Sequence, residues 1–541
     1  MKKSKFDAIV IGSGIGGLTT AALLSRFNRK RVLILEQCFN PGGQTQSFQR
    51  KGGFVWDTGL QYVGEMADGQ LGRVVSDYIT DRSLQWKKIT PPLERFYFPD
   101  FSFDVPDKPQ EYFNALVKLF PQEKKAIFQY FHHMKSIRNW TLRFLLNGSF
   151  PYPLVILNKI WNFLPYKFAA MTTSHYMNTF FLDNRLKAIL TAQWGTYGLP
   201  PQKSLFAIHA FITYHFLHGA WYPVGGSSSL FESIIPVIKN TGGRILLNTG
   251  VKNIIINNHN RAIGVEALQF TGGSYKEISA RAPIIVSGIG INETINNLLD
   301  KSNNRISLKK KEEADHGISC VMVFAGLSGN PREAGFCESN YWIFKDQNFN
   351  TLFKEKGALI SGKPNHCWLS FPSVKDPQAK AHTATLVYFI DEKHFSSWKD
   401  KPWKNRGEDY LQLKEKIGQS LILFVNERFP GFKKIIISHE VSTPLTINHF
   451  LKKNRGAMYG IPPGLNRFSP GRYGPKSNIK SLFFTGSDAF CSGIVGAMWG
   501  GLSSAAAING QFGMLKLLLA MKFNMFELIR DIYSNNREIK Q

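Results

Sequence analysis

Near the start of the chain, Gly12-Ser13-Gly14-Ile15-Gly16-Gly17 has the spacing G-x-G-x-x-G, a pattern suited to holding a dinucleotide. Gly12 permits a tight turn, Gly14 lets backbone approach a pyrophosphate, and Gly17 lets a helix pack closely on a strand. Ser13 and Gly16 complete the turn. A helix starting here would offer free N–H groups and a partial positive charge to phosphates. Further on, Glu36 closes an apolar run. There a carboxylate can accept hydrogen bonds from both ribose hydroxyls and repel a 2′-phosphate. By itself the motif permits NAD, NADP or FAD.

The elements that must position these residues are legible. Phe6–Ile11 reads as a short buried strand, Ile15 to Phe27 as an Ala/Leu-rich helix, and Arg31–Leu35 as a second strand ending on Glu36. Strand, turn, helix, strand and acid are in register, which an incidental glycine turn would not supply. Pro41-Gly42-Gly43, followed by Gln44, suggests a second backbone surface around a longer cofactor. The stretch Gly53 to Gly64 alternates like a strand, and Gly59 and Gly64 would let main chain approach a flat ring. Two ordinary hairpin turns are the alternative.

Other reactive residues form weaker patterns. His209, His215 and His218 lie on one uncharged helix candidate, but their offsets do not share a helical face and no acidic ligand is near. They are expected to be buried or to line a cavity, and no metal site is expected. The five cysteines lack any C-x-x-C spacing, which disfavours a disulfide framework and suits a reducing cytoplasm. Neither a Ser-His-Asp arrangement nor a metal motif is visible.

With 541 residues the chain can hold two or three domains and a large core. Its net charge of +27 favours an anionic partner. Between 124 and 231 the one acid is Asp183, set among many Lys and Arg and a high density of aromatics. Trp140–Leu146 and Leu154–Leu164 look helical, broken by Pro151, Pro153 and Pro165, with Arg143, Lys159 and Lys167 punctuating Trp/Phe/Leu surfaces. That pattern suits helices lying in a bilayer interface, with a basic-surfaced helical core as the plain alternative. The interleaving Leu, Ile and Phe disfavour nucleic acid. The basic N-terminus with its apolar run reads as the first strand rather than a signal peptide. No apolar run is long enough to span a bilayer, so a cytoplasmic, peripherally membrane-associated protein is expected.

Strand signals return at Arg244–Ile256, Arg261–Val265 and Ala282–Val286. The Lys309–Lys311 stretch reads as solvated surface and residues 454–479 as loop. Ser481–Asp488 then reads as a strand ending in Gly486 and Asp488, before Gly493-Ile-Val495-Gly-Ala497 opens an Ala/Gly-rich helix. Residues 514–526 form a basic amphipathic helix candidate, membrane-bound or docked. The expected class is α/β. Residues 1–80, 222–300 and 470–541 would form a discontinuous Rossmann-type domain, 81–123 and 301–469 a mixed β-sheet substrate domain, and 124–221 a helical, membrane-facing region.

Together these motifs resemble the flavin amine oxidase-like superfamily, and within it most closely the phytoene desaturase, carotenoid isomerase and retinol saturase (all-trans-retinol 13,14-reductase) family. The resemblance spans essentially the whole chain. It implies FAD held by Gly12–Gly17, Glu36 and Pro41–Gly43, with Phe54–Gly64 under the isoalloxazine. It implies main-chain contact to adenine at Val251, Asp488 at the ribityl–pyrophosphate region, and the start of the 493–497 helix at the flavin pyrimidine edge. Gln44 stands where many superfamily members have arginine, and Gln61 where a histidine usually precedes the tyrosine. Asn28 stands where glycine usually follows the first helix, and can adopt left-handed geometry. The implied activity is FAD-dependent redox or isomerisation chemistry at C=C bonds of a polyene or isoprenoid lipid, with an external electron donor or acceptor. Tyr62 is the candidate proton donor. An amine or protoporphyrinogen-type oxidase is the alternative on the same fold. A prenyl-lipid escort resembling Rab GDP-dissociation inhibitors is the alternative of another class.

Overall fold

The computed structural model describes residues 6–147, 168–299, 317–355, 357–452, 454–462, 464, 473–524 and 539. Ala8–Ile11 (β1) and Val32–Leu35 (β2) are buried at every position, as strands covered on both faces require. They pair in parallel, Val10 opposite Ile34. Three distant segments complete a five-stranded parallel sheet, in the order Leu482–Phe484, Ile285–Ser287, β1, β2, Arg244–Leu246. Parallel neighbours need crossovers, so this sheet draws in chain from both ends and the middle of the sequence.

Ile15–Asn28 (α1) follows β1. Its left-handed C-terminal residue is Arg29, at φ 53°, not Asn28. Asn28 stays helical because its amide exchanges hydrogen bonds with Asn509 at 2.7 and 3.2 Å. The helix Ile494–Ile508 packs along α1 through small residues. A Cβ on Gly16 would lie 2.3 Å from Gly486 Cα, and one on Gly501 2.6 Å from Thr19 Cβ. The Thr20 and Thr485 hydroxyls lie 2.8 Å apart and each is 3.0 Å from Gly16 O, so one can donate to that carbonyl while the other donates to its fellow hydroxyl.

A seven-stranded mixed sheet runs in the order Ile436–Ser442, Ser319–Leu327, Thr383–Ile390, His366–Ser370, Asn340–Phe344, Glu94–Tyr97, Ser102–Val105. Both its faces are covered, and side chains alternate between them. Val321, Val323, Leu369 and Leu386 join the core beneath the helix Glu408–Arg428. Met322, Phe324, Trp368 and Val387 join the larger core and line a cavity.

Helices Lys124–Asn147, Thr173–Phe180, Asn184–Thr191 and Phe206–Phe216 occupy the basic aromatic region. Its described aromatic rings serve mainly the interior. Tyr130, Tyr176, Trp194, Tyr197 and Phe206 are at most 1 % exposed, and Tyr176 stacks on Phe206 at 3.5 Å. Alternation of basic and aromatic residues in the sequence does not report which of these rings meet one another. The 154–164 helix, Lys159, Lys167 and Lys309–Lys311 lie outside the described residues, as does most of 463–472. Near the end, Gly513–Ala520 docks through Met514, Leu517 and Leu518; residues 525–538 lie outside the description. Among the described residues no helix is long and apolar enough to cross a membrane.

The α1 seam yields a direct test. Gly16→Val drives a branched side chain into backbone, where neither partner can yield. It is expected to cost about 2–4 kcal/mol, read as a lowered urea midpoint.

Candidate active site

A cavity of about 1220 Å³ runs between the parallel sheet and the seven-stranded sheet. At its inner end are two helix N-termini, those of α1 after Gly14 and of Ile494–Ile508 after Gly493, and neither carries a side-chain cap. Their first N–H groups are therefore free to bind an anion. The glycines here divide into two kinds. A Cβ at Gly16, Gly17 or Gly500 would strike backbone within 2.3 Å, whereas one at Gly14, Gly486 or Gly493 would meet no protein atom within 4 Å. The second set opens onto space left for something other than protein, and a pyrophosphate-bearing cofactor fits it.

Glu36 lines this end and is 7 % exposed. Its carboxylate accepts from Ser13 N at 2.8 Å, Ser13 Oγ at 2.7 Å and Cys38 N at 2.8 Å. It thus holds the glycine turn in shape, and the lone pairs left over are what a ribose could use. Ser13 and Gly17 sit behind the lining. Gly42 bridges to Gly14 and donates from its N to Ser13 O at 3.1 Å, so the two glycine loops stack. Gly43, Gln44 and Val251 line the cavity. Gln44 Nε2 donates to Met458 O at 2.5 Å, which ties the loop to the far wall. Thr249, two residues before Val251, donates from its N to Glu36 O at 2.7 Å.

Gly486, Gly493 and Val495 also line the cavity, but Asp488 does not. Its carboxylate is 2 % exposed and accepts from Ile291 N at 2.9 Å and Ile461 N at 2.8 Å. Two backbone donors remote in the chain engage it, and no motif could have shown them. Gly59 main chain lines the cavity, whereas Gly64 does not, and both glycines allow close protein contacts. A Cβ on Gly59 would lie 2.9 Å from Gln44 O, and one on Gly64 2.1 Å from His215 O.

Tyr62 lines the cavity, 8 % exposed, with its ring edge-on to Phe216 at 4.9 Å. Its hydroxyl has no partner among the described residues. The same holds for Gln61 Oε1, Trp368 Nε1 and Trp499 Nε1, all on the lining. Buried polar groups are nearly always paired, so this set awaits partners from a ligand or water.

Behind Tyr62 lies a residue with no sequence signal, Lys375, which is 0 % exposed. Its ammonium donates to Gln61 O at 3.0 Å, Asn340 Oδ1 at 2.6 Å and Ser370 Oγ at 2.6 Å, and sits 5.3 Å from the Tyr62 ring centroid. Burial lowers its pKa to about 7, opposed by Glu94 and Asp57. Burial in turn raises Glu94 to about 8 and Asp57 to about 6. Three acceptors for three N–H donors fit the charged amine, which fixes the backbone beneath Tyr62. A lone lysine in a loop sequence gives no hint of this.

His209 and His215 diverge. His209 meets the hydroxyls of Tyr130 at 2.8 Å and Tyr197 at 3.3 Å. His215 lines the cavity and its Nε2 accepts from Gly64 N at 2.8 Å. Burial pulls both down to about 3. Each is neutral in the fold while the unfolded ring titrates near the ordinary histidine value of 6.5. A folded pKa below the unfolded one contributes stability that is complete above pH 6.5 and lost as pH falls toward 3, at about 1.4 kcal/mol per unit. Urea midpoints should fall from pH 6.5 to 4.5, and His215→Gln, which keeps an acceptor for Gly64, should flatten that slope.

Residues 10–78 match the family described as NAD(P)-binding Rossmann-like domain. All-trans-retinol 13,14-reductase of Danio rerio is 32 % identical over 93 % of this chain and 86 % of its own length. Chloroplastic prolycopene isomerase of Daucus carota is 24 % identical over 95 % of this chain and 81 % of its own. Among solved structures, cyclohexylamine oxidase from Brevibacterium oxydans superposes with a TM-score of 0.58 at 14 % identity, over 96 % of this chain and 99 % of that one. The fold is therefore flavin amine oxidase-like, and by its identity along nearly the whole length the chain belongs to the phytoene desaturase, carotenoid isomerase and all-trans-retinol 13,14-reductase family.

Proposed function

We propose that this chain is an FAD-dependent oxidoreductase acting on C=C bonds of a carotenoid- or retinoid-like polyene. The observation that carries the reading is a single cavity joining two uncapped helix N-termini to an apolar chamber. Phe211, Ile212, Met322, Phe324, Trp368 and Val387 line that chamber. A long, aromatic-walled apolar space suits a conjugated chain. Gly14, Gly43, Gly486 and Gly493 would cradle the pyrophosphate-bearing part of the cofactor, Glu36 the ribose, and main chain at Val251 the adenine. FAD, when bound, supplies the hydride or electron transfer.

This chain's own residues do the remainder. The chamber walls hold the polyene extended and keep water from the reacting carbons. Tyr62 has a hydroxyl on the lining with no partner among the described residues and can hold or deliver a proton; Lys375 beneath its ring steadies it. Net saturation or desaturation requires an external electron donor or acceptor. The segments 1–80, 222–300 and 470–541 act as the nucleotide-binding unit, and 81–123 with 301–469 as the substrate unit. A net charge of +27 suits peripheral docking on an anionic bilayer from which the lipid is drawn.

Purified protein should be yellow, absorbing at about 450 nm, and release FAD on denaturation. A colourless protein that cannot be reconstituted with FAD would overturn the assignment. Gly14→Val should abolish cofactor binding while leaving the urea midpoint nearly unchanged, because its side chain enters open space. Tyr62→Phe should keep the flavin and lower turnover about 10- to 100-fold; unchanged turnover would remove Tyr62 from the reaction.

A further inference from the structure

One aromatic cluster on the cavity lining takes no part in holding the phosphates or the polyene. Phe39, three residues after Glu36, lines the cavity and is 59 % exposed. Its one ring neighbour among the described residues is Phe450, edge-on with centroids 6.5 Å apart, so at least one face of Phe39 is open. Phe450 in turn meets Trp403 edge-on at 5.2 Å, and Trp403 stacks on His449 at 4.7 Å. Phe450 and Trp403 also line the cavity.

The rings come from remote parts of the chain. Phe39 follows β2, Phe450 belongs to the helix Pro444–Leu451, and Trp403 to the loop before the helix Glu408–Arg428. A hydrogen bond beside the rings joins these parts, from Cys38 Sγ to Phe450 O at 3.1 Å. Burial and the Glu36 carboxylate raise the Cys38 thiol to about 12, with Lys452 opposing, so the thiol keeps its proton and stays a donor. The same residue donates from its N to Glu36 Oε1 at 2.8 Å. The cluster is therefore fastened to the carboxylate assigned to the ribose.

That placement decides what the open ring faces. In an adenosine nucleotide the purine is bonded directly to the ribose, so a base whose sugar lies at Glu36 must lie beside the residues flanking that carboxylate. Those residues are the Thr249–Val251 backbone, joined to Glu36 O, and the Cys38–Phe39 pair. A purine is flat, and its faces gain most by stacking on an aromatic ring. We propose that Phe39 is the stacking platform for the adenine of FAD, braced by Phe450 and Trp403 from the 301–469 segment, so that the cluster is a clasp over the ADP end of the cofactor. The proposal rests on the FAD reading. Cofactor retention then depends on contact between the nucleotide and substrate units as well as on the glycine loops.

The test follows FAD release from full-length holoprotein after dilution, read as recovery of free flavin fluorescence. Phe39→Ala should speed release about tenfold, and Phe39→Tyr should hold the rate within about twofold of the unaltered protein. Phe39→Leu, which keeps apolar bulk without a ring, should behave like Phe39→Ala. Trp403→Ala, which removes the brace, should speed release about threefold. The visible flavin spectrum should be unchanged in each, because the substituted rings would serve the adenine and not the flavin. An unchanged rate in Phe39→Ala overturns the clasp and leaves the FAD reading standing. So does a rate held by Phe39→Leu as well as by Phe39→Tyr, or faster release accompanied by a shifted flavin spectrum and a lowered urea midpoint. A protein that holds no FAD overturns both. If Phe39→Ala releases FAD at the unaltered rate and instead loses sedimentation with phosphatidylglycerol vesicles, the ring serves a lipid surface and the clasp is overturned.

Discussion

The structure depends on a backbone-to-backbone approach that only glycine permits. At Gly16 the first turn of α1 comes so close to Gly486 that a Cβ would lie 2.3 Å from its Cα. Strand ends from residues 11, 287 and 484 converge there in one parallel sheet, and the helix after Gly493 packs onto α1. That closeness brings two helix N-termini to one cavity, where their partial positive charges add. A single methyl at Gly16 would push the two ends of the chain apart, and with them the two halves of the anion-binding floor.

A second constraint operates one layer back. The Leu60–Gly64 backbone is held from both sides, by Lys375 on Gln61 O and by His215 on Gly64 N. Lys375 comes from the short helix Pro372–Lys375 after a strand of the seven-stranded sheet, and His215 from the helix Phe206–Phe216. The cavity wall bearing Tyr62 is thus clamped between the sheet and the helical region. Fixing that wall lets one unpaired hydroxyl hold a defined place. Burying Lys375 among Glu94, Asp57 and Glu338 costs desolvation, which the three acceptors and the surrounding negative charge offset.

The cavity has two chemically distinct parts. Free backbone donors line one, and aromatic and aliphatic side chains the other. Such a division suits a phosphate-bearing cofactor beside an apolar ligand. The seven-stranded sheet makes this possible, because its alternating side chains supply chamber wall on one face and a helix-covered core on the other.

Much of the nucleotide end was legible from residue order alone, because its parts are contiguous. Turn, helix, strand and acid lie within one stretch of chain, and each follows from local backbone demands on glycine, apolar runs and a carboxylate. The return of strand patterning near 285 and 482 pointed to the same sheet. What sequence could not decide was which glycines face ligand and which face protein. Gly64 lies against His215, Gly59 lies against Gln44 while still lining the cavity, and Asp488 turned to two distant amides. Nor could it show that the aromatics of 124–221 meet one another, or that Lys375 lies under Tyr62. Each of these turns on a partner remote in the chain. Local spacing determines what a segment can do, whereas tertiary packing decides which long-range partner it meets, and so which atoms are left for a ligand.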